Sequence, residues 1–261
     1  MLNTYTTYRL IAADLPKSIE RIRQQPVVER ETRYYLENIT KVKSIKEFVE
    51  DDRLFKYAMK AHGLADMDYA KAFMVKALEG GIDDEQSFAN SLADKRYADF
   101  VETFNFAGYG DATTAFTRTQ QGTVDRYLRQ TLEEDAGSTN EGVRLALNFV
   151  RNAPDIKTAY DILANTAYAK VVRTVLGLPD SIATADIDKQ AAMIQDRIDI
   201  ADFQDPEKLD KFMTRFTSMW EVSNPTSSAA SSIAALFSQP VEYGISSDVM
   251  MTLQSLKLGG S

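Results

Sequence analysis

The sequence contains no cysteine, and this absence excludes several classes of protein at once. Disulfide frameworks, thiolate nucleophiles and cysteine-based metal sites all depend on that residue. The chain also has a single histidine, His62, so histidine catalysis or imidazole ligation of a metal has one candidate. Glycine and proline are scarce as well, with 12 and 7 copies in 261 residues. Because these two residues interrupt regular structure, their scarcity favours long helical segments.

Positive charge is in the minority, with 30 lysines and arginines against 38 aspartates and glutamates and a formal net charge of −8. Nucleic-acid surfaces and anionic lipid both select clustered basic residues, so we predict no nucleic-acid partner. No apolar run approaches the roughly 18 residues of a membrane span, so no membrane insertion is expected. The first residues lack a basic stretch followed by an apolar one. Cytoplasm is therefore the default location, with a flagellar location or export by a non-classical signal as the alternative.

Apolar residues recur with helical spacing along the chain, as in Leu54, Tyr57, Ala58 and Ala61 at i, i+3, i+4 and i+7. Alternating runs bounded by Asn-Gly or Asp-Gly, which would predict hairpins, are absent. The pattern predicts an all-α, multihelical fold of about ten to thirteen helices. Residue pairs typical of helix starts support this interpretation, namely Ser44 with Glu47, Asp83 with Gln86, Ser138 with Glu141, and Asp205 before Pro206.

An internal similarity relates residues 43–64 to residues 157–178. Both segments contain a Ser/Thr-x-x-acidic start, an apolar helix face and a closing Gly-Leu. Phenylalanine pairs spaced i, i+4 follow in both halves. We predict a degenerate two-copy helical repeat, with halves at about 27–106 and 141–216. The alternative is that helical proteins reuse such caps and glycine stops independently.

Gly63 and Gly177 end the two similar segments, and each follows a helix whose last turn is apolar. A glycine just past a helix end commonly adopts a left-handed conformation that other residues avoid. We therefore predict that both glycines are structural helix stops, with the leucine after each packed back onto its helix.

The sequence divides into a helical domain at 1–222, a Ser/Ala-rich linker at 223–240 and an amphipathic C-terminal segment at 241–261. The last segment is either a terminal helix packed on its own domain or a helix that docks on a partner. The candidate interaction residues are those at helical spacing within it, namely Ile245, Val249, Met250, Leu253 and Leu256.

Candidate chemistry is sparse. His62 precedes a predicted helix stop, where a partly positive imidazole would suit the helix dipole. Carboxylates cluster at 50–52, 83–85 and 133–135, but none has the spacing of a calcium loop, and the first two lie where helix capping explains them. Nucleophile-elbow and phosphate-loop motifs are absent. We predict no catalytic, cofactor or metal site, although carboxylates distant in sequence can still meet in space.

Several stretches resemble a family found in alphaproteobacteria. They include "DLPKSIERIRQQPVVERETRYYLENITKVKSIKEF" (14–48), "LADKRYADFVETFNFAGYG" (92–110) and "DFQDPEKLDKFMTRF" (202–216), and the resemblance covers roughly 3–220. The family is known as a domain of unknown function, and several members are encoded among flagellar genes. The resemblance implies a multihelical fold and a flagellum-associated setting, and it supplies no catalytic residues. The chain departs from the family at 94–96, where "DKR" replaces a frequent Asp-Pro-Arg.

Two functions follow as expectations. The first is a non-enzymatic helical interaction protein with a protein partner, flagellum-associated and serving assembly or regulation. The alternative is a small-molecule or peptide binding module whose pocket lies between the two helical halves, a common location for sites among packed helices. An exported filament component and an enzyme are further alternatives, and a homo-oligomer remains open.

Overall fold

The computed structural model of the protein describes residues 3–224, and every regular element in that range is helical. Eleven helices have seven or more residues, and no strand occurs within the range, so the all-α prediction is confirmed. The α-helices are α1 (Thr4–Ala13), α2 (Leu15–Arg23), α3 (Pro26–Ile39), α4 (Ile45–Glu50), α5 (Asp52–Ala61), α6 (Lys71–Gly80), α7 (Phe88–Ser91), α8 (Arg96–Thr103), α9 (Phe106–Tyr109), α10 (Gln121–Thr139), α11 (Glu141–Asn152), α12 (Ala159–Ala164), α13 (Thr166–Leu176), α14 (Ile187–Gln195) and α15 (Pro206–Ser223).

The predicted C-terminal segment at 241–261 lies outside the described residues, as does nearly all of the linker at 223–240. The same holds for the candidate interaction residues Ile245, Val249, Met250, Leu253 and Leu256, whose role stays a prediction. Within the described part of the chain, every helix is too short or too polar to cross a lipid bilayer.

The longest of the described helices is α10, which lies in the chain between the two predicted halves. It packs against α5 of the first half and α11 of the second. Buried residues from both halves belong to one connected hydrophobic core. The apolar face predicted for α5 is confirmed, because Leu54, Tyr57, Ala58 and Ala61 are all buried. Packing of such amphipathic faces supplies most of the stability of short helices, which are marginal in isolation.

The phenylalanine pairs of the two halves contribute to this core. Phe100 and Phe104 are fully buried, and their ring centroids lie 5.0 Å apart. Phe48 stacks on Phe104 at 4.7 Å. In the second half Phe216 is fully buried, whereas Phe212 is only partly buried against the core. The pairs therefore share a role in packing, and three of the four rings are sealed from solvent.

The helix pairs α4–α5 and α12–α13 are built alike. Ser44 and Thr158 cap the first helix of each pair, and the Thr158 cap forms a full capping box with Asp161. Gly63 and Gly177 follow the second helices with φ of 69° and 64°, the left-handed conformation expected of both. This likeness concerns the two helix pairs, and duplication of the complete halves stays a prediction.

Two predicted caps are wrong. Ser138 lies inside α10, which continues to Thr139, and its hydroxyl donates to the Asp135 carbonyl at 2.7 Å. The residue that caps α11 is Asn140, whose side chain accepts from the Val143 amide at 3.3 Å. Asp83 likewise precedes an irregular turn and not a helix, and Ser87 caps the short helix α7. At Ser138 the continuation of α10, and at Asp83 a turn of the chain, outweighed the preference of these residues for helix starts.

The two ends of the described chain meet where α1 packs on α15 and α11. The Thr4 amide donates to the Glu221 carboxylate at 2.9 Å, and Asn140 donates to the Thr4 hydroxyl at 2.9 Å. Close by, the indole of Trp220 lies on the backbone of Gly142, where a Cβ atom would be 2.3 Å from the indole Cδ1. Glycine at position 142 therefore allows α11 and α15 to approach closely.

Candidate functional site

A polar cleft of about 430 Å³ lies between the two predicted halves. The first half contributes the end of α5 and residues 94–99, and the second half contributes α11 and the α12–α13 junction at 164–168. Helix α10 passes between them and supplies Arg126, Gln130 and Glu133. The volume falls in the range of about 300–1,000 Å³ that small-molecule sites occupy.

The carboxylate of Glu133 lies at the floor of the cleft and is only 1% exposed. It accepts hydrogen bonds from Arg129 Nε at 3.1 Å, Asn148 Nδ2 at 3.2 Å and Arg151 Nη2 at 2.9 Å. Arg129 lies one turn before Glu133 on α10, and the other two donors are one turn apart on α11. Because two cations share one anion, this buried cluster keeps a surplus of one positive charge.

Arg151 has more donors than acceptors. Its Nη2 donates to Glu133 and to the Gln130 Oε1 atom at 3.0 Å, which uses two of the five guanidinium N–H groups. The Nε–H is buried without an acceptor, which is unfavourable by about 1–3 kcal/mol. The hydrogen bonds of Arg151 within residues 3–224 come from Nη2 alone, so the Nη1 donors are left for a ligand in the cleft.

The other charged side chains around the cleft are mostly paired. Arg96 binds both carboxylate oxygens of Asp94 and the Gly63 carbonyl. Burial acts to raise the pKa of Asp94, but the hydrogen bonds from Arg96 outweigh it and hold that pKa below its usual value. Arg126 forms a two-point contact with Asp99. Arg144 also lines the cleft and pairs with Glu141. Each of these arginines has its own carboxylate, whereas Arg151 shares Glu133 with Arg129.

His62 lines the cleft but is itself buried, with 6% of its surface exposed. Its Nδ1 donates to the Ala58 carbonyl at 3.0 Å, so in the neutral ring Nε2 is an acceptor, 3.2 Å from the Thr103 hydroxyl. The Asp99 carbonyl, 3.0 Å from that hydroxyl, competes for the same proton. Burial lowers the pKa of His62 to about 4, although the charge of Asp99 opposes the shift. The expectation of a partly positive imidazole at the helix end is therefore wrong, because burial outweighs the helix dipole.

The N-terminus of α13 forms part of the opposite wall. Asn165 Oδ1 accepts from the amides of Ala167 and Tyr168 at 2.9 and 3.3 Å, while its Nδ2 donors have no acceptor in the described part of the chain. Burial raises the pKa of Tyr168 to about 12, so its phenol stays protonated at neutral pH. The wall thus presents N–H and O–H donors and the positive end of a helix dipole.

The sequence anticipated only part of this site. Of the three carboxylate clusters, 133–135 supplies the buried Glu133, while the other two serve caps and turns, as with Asp51 at the start of α5 and Asp84 in a turn. Gly63 lines the cleft and Gly177 does not. The sequence analysis did not identify Arg129 and Arg151 as site residues. The one sequence pattern that could have indicated them is the i, i+4 spacing of Arg129 and Glu133, which is equally typical of solvent-exposed helices.

Within residues 3–224, no group of three or more histidine or carboxylate side chains is placed to hold a metal ion. The cleft instead presents arginines, amides and paired carboxylates. Over residues 3–224 the fold and this site define an all-helical protein with a polar, donor-rich cleft between its two predicted halves.

The chain belongs to the family described as Protein of unknown function (DUF1217), which matches residues 61–209. Every residue that lines the cleft falls within the matched range. The chain is similar to protein AGR_C_984 from Agrobacterium tumefaciens, known from an X-ray crystal structure, with 54% identity and a TM-score of 0.80. That similarity covers 85% of this chain and 94% of the Agrobacterium protein. No curated protein matches the chain. Membership of a family of unknown function is thereby confirmed, and the flagellar setting stays a prediction.

Proposed function

We propose that this protein is a non-enzymatic binding protein whose ligand occupies the cleft between its two halves. The observation that carries the proposal is the under-paired guanidinium of Arg151 beside a space of about 430 Å³. Such a space accommodates a small molecule or a few residues of a peptide. The sequence led to two expected functions, an interaction protein and a binding module with a pocket between the two halves. The position of the cleft favours the binding module.

The state of the ionisable groups supports binding over catalysis. Asp94, Asp99 and Glu133 are each held by arginine, and both nitrogens of His62 are occupied by hydrogen bonds. A general base needs a carboxylate or imidazole that can reach a substrate proton. Side chains held in this way suit recognition, since their positions are fixed before a ligand arrives.

A thermal-shift screen of polar metabolites and short peptides tests the proposal, because a ligand selective for the folded state raises the melting temperature. Ala164 is exposed at the cleft wall, so Ala164→Trp fills the space without changing any charge. Ala183→Trp, at an exposed position away from the cleft, is the matched control. We expect ligands that stabilise the wild type and the control and not Ala164→Trp. A screen without any stabilising compound, or equal shifts in all three proteins, would contradict the proposal.

A second candidate is a flagellum-associated interaction protein that serves assembly or regulation through a protein partner. Its support is the resemblance of the chain to a family with members encoded among flagellar genes. In this setting the cleft would hold a segment of the partner, and the predicted segment at 241–261 would add a docking helix.

Cell fractionation tests this setting. Recovery of the protein with purified hook–basal bodies or in the medium would favour a structural or exported component, and recovery in the cytosol alone would favour a regulator or assembly factor. Deletion of 241–261 tests the docking helix separately. Unchanged motility and unchanged recovery of the protein in each fraction would show that the segment is dispensable.

A further inference from the structure

We infer that the chemical group recognised in the cleft is a carboxylate, received by the guanidinium of Arg151. This inference rests on the proposed binding function and specifies the ligand of the same site. The evidence is the charge of the buried cluster, the free donors of Arg151 and the donors on the opposite wall.

The buried cluster needs one more negative charge. Arg129 and Arg151 both donate to Glu133, at 3.1 and 2.9 Å, so two positive charges face one negative charge. Arg129 is satisfied further by the Leu147 carbonyl at 3.2 Å and does not line the cleft. The surplus charge is therefore accessible only through Arg151, whose side chain is 26% exposed.

The free donors of Arg151 that a ligand in the cleft can reach are those of Nη1. Glu133 and Gln130 both accept from Nη2, and the Nε–H is buried. Hydrogen bonds from an arginine to a carboxylate are charge-assisted, so they are shorter and stronger than neutral hydrogen bonds. Asn165 Nδ2 and the first turn of α13 add neutral donors on the facing wall.

The remaining charges favour a single negative charge over two. Asp94 and Asp99 are paired with arginines, and Asp66 lines the cleft as a further carboxylate. Four carboxylates and four arginines line the cleft, so the surplus positive charge is the one that Arg129 adds to the buried cluster. A phosphate would bring almost two negative charges against that single positive charge. A carboxylate matches that surplus. It can come from a small organic acid or from the end or side chain of a peptide, and the chemistry at Arg151 is the same.

The test is an NMR titration that follows the arginine Nε–H signals of the ¹⁵N-labelled full chain. The probes are acetate, propionate, acetylated trialanine with a free C-terminus, the same peptide as its amide, and phosphate, all at matched ionic strength. We expect the carboxylates to shift the Arg151 signal and phosphate to leave it nearly unchanged. Selective shifts with the free peptide and not with acetate would identify a peptide source. Shifts with the acids alone would identify a small organic acid.

Variants separate this inference from a nonspecific effect of charge. Arg151→Met should abolish the binding, and Arg151→Lys, which keeps the charge but cannot donate to Glu133, Gln130 and a ligand from one rigid planar group, should weaken it by about tenfold. Arg33→Met is the matched control, because it removes one positive charge from an exposed site on α3. Folding of each variant is checked by its melting temperature, and Arg151→Lys keeps the test decisive where Arg151→Met is unstable.

Failures of the two proposals are distinguishable. Phosphate binding as tight as carboxylate binding, or carboxylate binding unchanged in both Arg151 variants, overturns the carboxylate inference. If a ligand from the thermal screen is excluded by Ala164→Trp while no carboxylate probe binds, the cleft remains the site and the carboxylate inference falls. If the probes bind Ala164→Trp as they bind the wild type, the cleft is not the site and both proposals fall.

Discussion

Glu133 is the residue whose substitution we expect to lower the free energy of unfolding most. Replacing Glu133 by glutamine keeps the size of the side chain and removes its charge. Asn148 Nδ2 and Arg151 Nη2 donate to one carboxylate oxygen at 3.2 and 2.9 Å, and Arg129 Nε donates to the other at 3.1 Å. Glutamine has an acceptor for only one of these two positions, so its NH₂ group faces a donor in either orientation. Two arginines would then share a neutral side chain.

The magnitude follows from burial. Removing one partner of a buried ion pair destabilises a protein by about 3–5 kcal/mol, because the remaining charge is left uncompensated. Glu133 is almost completely buried, but Arg151 retains access to solvent, which screens part of the uncompensated charge. We therefore expect a loss of about 3 kcal/mol, the lower end of that range. Total stabilities of about 5–15 kcal/mol make this a large fraction of the whole.

The measurement is urea unfolding, followed by far-UV circular dichroism and by the fluorescence of Trp220, the single tryptophan, which is buried. Glu134→Gln is the matched control, because the neighbouring carboxylate pairs with Lys60 at 2.8 Å but is 37% exposed. Exposed pairs contribute about 1 kcal/mol or less, so this control should unfold almost like the wild type. Equal losses in the two variants would refute the assignment of Glu133 to a buried, doubly paired position.

Three further predictions concern His62, Gly142 and Gly177. Since burial lowers the pKa of His62 to about 4 from 6.5, the unfolded chain binds more protons between these values and stability falls as pH drops. Through His62, the free energy of unfolding should fall by about 2 kcal/mol between pH 7.5 and pH 5. His62→Gln should remove that part of the pH dependence measured by urea unfolding. Identical pH profiles of the wild type and the variant would contradict the prediction. Gly142→Ala should destabilise the protein by about 1–3 kcal/mol and shift the fluorescence of Trp220, because the added Cβ meets the indole. In the control Gly80→Ala, the added Cβ has no atom closer than 3.8 Å, so its stability should be close to that of the wild type. Gly177→Val should lower stability by about 1–2 kcal/mol through left-handed strain at φ 64°; an unchanged denaturation midpoint would argue against that conformation.

Local features of the chain could be predicted from the sequence because their hydrogen bonds span only a few residues. The Ser44 and Thr158 caps, the helix start at Pro206 and the left-handed conformations of Gly63 and Gly177 are of this kind. The Ser138 cap was wrong because continuation of α10 satisfies the same backbone groups in another way. Helical periodicity likewise determined the fold class, since an apolar face is encoded within each helix.

Only the tertiary structure decided the site. Glu133 is joined to Asn148 and Arg151 across 15 and 18 residues, and His62 to Thr103 across 41. In the sequence, the arginine–glutamate spacing on α10 has the same pattern as an exposed ion pair, because spacing along one helix does not tell which face another helix covers. The packing of α11 and α5 against α10 removed these groups from water. That burial makes Glu133 a structural anchor, keeps His62 neutral and leaves Arg151 with donors that face the cleft.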